Sequence, residues 1–103
     1  TVGAGTIRWY CRENLTIQNV YVQVSTAPTG ASIIVDVNKN AAGTIFTTQG
    51  NRPTIAASAF TDTSSVPDIT SMTAGDYFLI DIDQIGSTVA GSNLCVRIVA
   101  IKA

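Results

Sequence analysis

Asp36, Asn38 and Asn40 recur at every second position in the stretch DVNKN, and Asp81 and Asp83 do the same in DID. Oxygen-bearing side chains at this spacing bear on two chemistries. Hard oxygen ligands along a turn hold calcium, and two carboxylates a few ångströms apart divide acid and base roles in glycoside hydrolysis. An EF-hand loop needs a glycine and a later glutamate at fixed offsets, where this chain has Ala41 and Thr47. Asparagines beside a turn also bond nearby backbone and accept left-handed geometry, and that is the reading favoured for Asn38 and Asn40. Alternate positions on one strand set Asp81 and Asp83 on a common face, about 7 Å apart. A solvated sheet face accounts for that pair without catalysis.

The chain has no histidine. Ser-His-Asp and Cys-His catalytic pairs and Cys-His zinc sites are therefore excluded. The two cysteines are too few for a disulfide scaffold. Cys11 shares its parity with Ile7 and Trp9, whereas Cys95 goes with Arg97. A disulfide needs Cβ atoms within about 4.5 Å, so two free and mostly buried thiols are expected. No catalytic residue, metal ligand or cofactor is expected.

Binding of a sugar or of another subunit requires aromatic platforms beside directional polar groups. Trp9 shares its face with Ile7 and Cys11, which predicts a core position. Tyr10 and Tyr21 have the opposite parity to the apolar faces of their strands and are expected at the surface, as is Tyr77. The contact set for an interface or a glycan is therefore Arg8, Tyr10, Arg12, Tyr21, Asp36, Asn38, Asn40, Tyr77, Asp81, Asp83 and Arg97.

The elements that must position these residues read as strands. TIRWYCR (6–12) alternates with period two. LTIQNVYVQV follows with Val20, Val22 and Val24 on one face. Ile17 is out of phase with those valines, which predicts a bulge or a bend near Gln18-Asn19. STAPTG is a turn, ASIIVDVN presents Ile33, Val35 and Val37 on one side, KNAAG is a hairpin-like turn and TIFTT continues the sheet. Residues 49–75 read as a long connection with one or two short strands, tacked down by Ile55, Phe60, Val66, Ile69 and Met72. GDYFLIDIDQIG sets Phe78, Ile80 and Ile82 against Tyr77, Leu79, Asp81 and Asp83, with Gly75 and Gly86 at its ends. LCVRIVAIK sets Leu94, Val96, Ile98 and Ala100 against Cys95, Arg97, Val99 and Ile101. Seven or eight short strands with Gly/Pro turns predict one all-β domain over residues 1–103, an antiparallel β-sandwich. Long first and last strands, the irregular central crossing and the missing Cys-Trp-Cys spacing favour a jelly roll over an immunoglobulin arrangement.

Composition narrows the partners. Apolar residues make up 46% of the 103 and charged residues only 13%, about half the usual charged share. The net charge is −1, and the six basic residues are scattered, so no footprint for nucleic acid is present. Apolar runs are too short for a transmembrane span. The first residues show no basic leader with an apolar core, so no signal peptide is expected. A polar but weakly charged surface suits a subunit of a larger assembly or a virion-exposed module.

Two stretches carry a resemblance. Pro28, Thr29, Gly30, Asp36, Asn38, Lys39 and Asn40, before the TIF strand, form one motif. Gly75, Asp76, Asp81, Asp83, Gln84, Ile85 and Gly86 form the other. Together they resemble a module that recurs in virion proteins of tailed phages, and the likeness covers nearly the whole chain. A glycine expected directly after Asn40 is replaced here by Ala41-Ala42-Gly43, which implies a longer turn. The resemblance implies a virion location and a non-enzymatic structural role in head decoration, tail or fibre. Long flat strands such as 76–83 must be covered, which assembly into a closed trimer or onto a shell accomplishes. The partners expected are therefore copies of the same chain, as a trimer, and other virion proteins. A receptor- or glycan-binding module of a phage adhesin, meeting a host-surface glycan, is the alternative.

Overall fold

The computed structural model describes residue 3 and residues 8–40 and 43–103. The Thr6-Ile7 part of the expected first strand and the Ala41-Ala42 turn lie outside the described residues.

Two long strand pairs organise the chain. β2 (Leu15–Gln23) runs antiparallel to β9 (Cys95–Lys102) along its whole length, and β3 (Ile33–Lys39) runs antiparallel to β8 (Tyr77–Gln84). The register between β2 and β9 passes from Ile17 opposite Ala100 to Asn19 opposite Val99, so Gln18 is an extra residue. Of the bulge or bend that the phase break in the sequence predicts, this is the bulge. It turns both Ile17 and Val20 into the core, where each is at most 1% exposed.

The chain passes from β2 to β3 through residues 24–32 and from β8 to β9 through residues 85–94. The two crossings bridge each other at Thr26 with Ser92 and at Thr29 with Val89. Residues 15–39 and 77–102 thus form one antiparallel two-stranded ribbon that folds over from one sheet to the other.

Short strands fill the flanks. β1 (Trp9–Tyr10) lies on β8, while β4 (Gly43–Thr44) and β5 (Thr54–Ile55) share the other edge of β3. β6 (Thr61–Thr63) and β7 (Ser71–Met72) share the edge of β2 that β9 leaves open. The expected connection over 49–75 therefore carries three short strands and a 3-10 turn at Gln49–Asn51. Ser64 spans the gap between β6 and β7. Its hydroxyl accepts from the Val20 N–H at 2.9 Å, and its own N–H donates to the Val20 carbonyl at 2.8 Å. A buried serine thus satisfies backbone groups that a continuous strand would otherwise pair.

The result is an all-β fold of two antiparallel sheets in a sandwich-like arrangement. Val20, Val22 and Val24 from β2 and its end meet Ile33, Val35 and Val37 of β3, with Phe46, Ile55, Met72 and Phe78 completing the core. Full burial of each such side chain contributes about 1.5–3 kcal/mol. Two of the expected anchors do not serve as such: Phe60 and Val66 are more than half exposed. The segment is held at Phe60 by its backbone instead, whose carbonyl accepts from the Val24 N–H at 2.9 Å.

Candidate functional site

The side chains with most chemistry on offer gather around β1. Tyr10 stands opposite Tyr77 in the β1–β8 register, with ring centres 5.4 Å apart. The Arg8 guanidinium lies over the Tyr77 ring, 4.5 Å from its centre, and donates to the Tyr10 hydroxyl at 3.3 Å. Cation–π attraction and that hydrogen bond hold a flexible side chain in one place. The bond to Tyr10, followed by the nearby Tyr77 and Tyr10 charges, pushes the Arg8 pKa up from its ordinary value.

Trp9 stands opposite Phe78 and stacks on it at 5.7 Å between ring centres. It is nevertheless 58% exposed, which corrects the core position expected for it. β1 is a two-residue strand at the sheet margin, so the indole caps Phe78 from outside. Cys11, two residues on, is buried, and its backbone closes the strand: its N–H donates to the Asp76 carbonyl at 2.8 Å and its carbonyl accepts from the Gly75 N–H at 2.9 Å. Burial, then the Asp76 charge, pushes the Cys11 thiol up, against a smaller opposite pull from Lys39.

From Cys11 the chain crosses to the other sheet at Leu15. Arg8, Trp9, Tyr10, Arg12, Glu13 and Leu15 line a surface groove of about 500 Å³ at this crossing. Glu13 is 3.5 Å from the Lys102 ammonium, while Arg12 makes no ion pair among the described residues. The groove thus offers a fixed guanidinium, an unpaired one and two exposed aromatic rings.

The oxygen-rich positions are placed elsewhere and are engaged in holding strands together. Asp36 is 6% exposed on the face of β3 away from the core. Its carboxylate accepts from the Thr44 hydroxyl and from the Val37 N–H, and Thr44 in turn accepts from the Phe46 N–H at 2.9 Å. Asn38 donates its amide to Asp81. Asn40 has a left-handed backbone with φ of 51°, as expected of an asparagine at a turn. Its amide, however, bonds across to β8 and the turn before it: it donates to Asp76 at 3.0 Å and accepts from the Tyr77 N–H at 2.9 Å. Asn40, then the Thr73 N–H, holds the Asp76 carboxyl below the usual carboxylate range, with Lys39 adding a smaller pull.

Asp81 and Asp83 do not share a face in simple alternation. Ile34 opposes Gln84 while Val35 opposes Ile82, so Asp83 is the extra residue of a second bulge. It turns to Arg52, with a 2.8 Å ion pair, and ties the 3-10 turn to β8. Sequence reading misses the closer acidic neighbours, Asp36 and Asp81, which are register partners. Their signal is the pairing of β3 with β8, which parity within one strand does not reveal. Among the described residues no three His, Cys, Asp or Glu side chains group as a metal site.

Tyr21 and Arg97 form a third location. They are register partners on the outward face of the β2–β9 pair, with the guanidinium 5.6 Å from the ring centre. Cys95 lies on the same face and is exposed, against the burial expected for it. Both cysteines are free, since Cys11 sits by the β1–β8 sheet and Cys95 on β9 in the other.

The groove can stack a planar or ring-shaped group and neutralise an anionic one. The Asp-Asn network braces strands: donors on β3, β4 and the turn before β8 engage one oxygen each of Asp36 and Asp81 and both oxygens of Asp76. Comparison with known proteins adds no relative: no family model, no curated protein and no solved structure matches this chain.

Proposed function

We propose that the chain is a non-enzymatic structural subunit of a tailed-phage virion, a head decoration protein or a tail or fibre component. It acts by packing against copies of itself, in an expected trimer, and against other virion proteins. The motifs at 28–40 and 75–86 support the virion setting. One structural observation carries the packing role. Trp9, Tyr10, Phe60, Val66 and Ile101 are each more than half exposed on a chain of 103 residues. Aromatic and arginine side chains are enriched where subunits meet, and Arg8 and Arg12 accompany this set. The folded two-stranded ribbon supports a jelly-roll reading of the sandwich, since such ribbons are what a jelly roll wraps.

Light scattering after size exclusion at two concentrations tests this. The expected result is a stable mass of at least three times 10.8 kDa. A monomer at both concentrations would count against self-packing.

The groove favours a second reading, a module for a host-surface glycan. Trp9 and Tyr10 supply platforms and the two arginines supply donors, whereas Tyr21, Asp36, Asn38 and Asn40 lie outside it. Trp9 is the single tryptophan, so its fluorescence reports on the groove. A saturable change on titration with host polysaccharide is the expected outcome, and an unchanged spectrum would exclude this reading.

A further inference from the structure

β9 pairs with β2 on one side, and among the described residues no strand pairs with its other edge. The phase of that open edge follows from β2. Val20 and Val24 direct their N–H groups away from β9, to the Ser64 hydroxyl and the Phe60 carbonyl. The alternate residues Asn19, Tyr21 and Gln23 therefore face β9, and their partners Val99, Arg97 and Cys95 face back. Val96, Ile98 and Ala100 are left with N–H and C=O groups pointing outward.

An eight-residue edge of this kind is a template for another strand unless it is guarded. β9 has no proline, its bulge partner Gln18 lies on β2, and the core-side residues Val96, Ile98 and Ala100 are apolar. The one charge of that parity, Lys102, stands at the strand's end beside Glu13 and leaves the middle of the edge unguarded. Those three are only half-buried, while their partners Val22, Val20 and Ile17 are at most 1% exposed. The slot between the sheets is thus open along β9.

We propose that this edge receives β9 of a second copy of the chain, antiparallel and centred on Ile98. The inference rests on the self-packing reading above and names the surface and the mode. The occupant must bring backbone groups in strand spacing with aliphatic side chains on the core side and mixed ones outside, and β9 itself does both. About Ile98 the two copies set Ile98 on Ile98 and Val96 on Ala100, which closes the slot. On the outward face Cys95 meets Ile101 and covers that exposed side chain. An antiparallel register that keeps core faces aligned joins only positions of equal parity, so Arg97 never opposes Lys102. Arg97 meets Val99 instead. The contact is isologous and joins two copies only, so it cannot itself build the expected trimer, whose contacts the groove and β6 are left free to make.

Disulfide trapping tests the pairing. Cys95 and residue 101 both direct their backbone toward β2, so across the new edge they form a non-hydrogen-bonded pair with Cα atoms about 4.5 Å apart. Within one chain the two positions are about 20 Å apart along a strand, too far to bridge. Under mild oxidation Ile101→Cys is expected to form a covalent dimer much faster than Ala57→Cys, which adds a thiol to an exposed loop. Ala100→Pro removes an outward N–H and leaves the β2 ladder intact. Added to Ile101→Cys, and with the fold checked by circular dichroism, it is expected to slow trapping roughly tenfold. Trapping of Ile101→Cys no faster than Ala57→Cys overturns the proposal, as does a folded proline variant that traps at the same rate. A multimeric wild-type chain without trapping overturns β9 pairing and spares self-packing. A monomeric chain without trapping overturns both.

Discussion

Asp36 and Asp81 are register partners across β3 and β8, so two carboxylates stand side by side on the outward face of one sheet. Like charges directly opposite each other destabilise a strand pair. Here the donors of neighbouring residues offset this: Thr44 and the Val37 N–H serve Asp36, and the Asn38 amide serves Asp81. The Asp36 carboxylate also fastens β4, because Thr44 relays the contact to the Phe46 backbone.

Asp36→Ala should therefore destabilise the protein by about 1–3 kcal/mol, since Thr44 loses its acceptor in a largely buried setting. Asp36→Asn keeps an acceptor and removes the like-charge contact, so it should cost less. Urea unfolding midpoints check this order, and an alanine variant as stable as the wild type would remove the bracing role.

Asp76 and Asp68 predict how stability depends on acid. Asp76 is held down first by the Asn40 amide, and Asp68 first by the Thr48 N–H, both below the ordinary value of 3.8. With folded pKa values depressed, the unfolded chain binds more protons in the window between the folded and unfolded values, so stability there rises with pH. Their contribution is complete above about pH 5 and is lost as pH falls through the depressed folded values. Denaturant midpoints should be level from neutral pH to about pH 5 and fall below it. The double variant Asp68→Asn, Asp76→Asn should flatten that fall; an unchanged acid limb would place its origin elsewhere.

The long strands are legible in the sequence because their evidence is local. Val20, Val22 and Val24, and Ile33, Val35 and Val37, point to the core by parity alone, and the phase break before Val20 marks the bulge at Gln18. What parity cannot carry is which strand ends up at a margin and what stands opposite it. Trp9 has the parity of the buried Cys11 yet caps Phe78 from outside, because β1 lies at the edge. Cys95 is exposed because the outward face of β9 is uncovered. The contacts of Asp36 with Thr44 and Asp81 depend on the pairing of β3 with β4 and β8, a non-local fact. The groove around Arg8, Tyr10 and Arg12 is partly legible as exposed tyrosine and arginine, but the parity of Trp9, its largest side chain, points to the core.

Gly86 is a test of the folded ribbon. A Cβ placed there would lie 1.9 Å from the Val89 carbonyl oxygen and 2.9 Å from backbone atoms of Thr29. These belong to the crossing where Thr29 and Val89 pair, so relief requires the two crossings to separate. Gly86→Ala should cost about 1–3 kcal/mol or more. Gly50, where a Cβ would meet nothing within 4 Å, is the control, and Gly50→Ala should be neutral to slightly stabilising. Equal midpoints for the two variants would show that the crossing yields easily.

The two thiols should separate by reactivity. The thiolate is the reactive form, so a thiol that is both buried and pushed to higher pKa reacts slowly on two counts. Cys11 is 2% exposed, and burial followed by the Asp76 charge raises its pKa, whereas Cys95 is exposed. With a chromogenic disulfide near pH 8, one thiol per chain should react quickly and the second only as the protein opens, its rate tracking denaturant. Cys95→Ser should abolish the fast phase and Cys11→Ser the slow one. Two fast thiols in the native protein would mean that the Cys11–Gly75 clasp between β1 and β8 opens readily, and the groove that β1 builds would then lack a fixed wall.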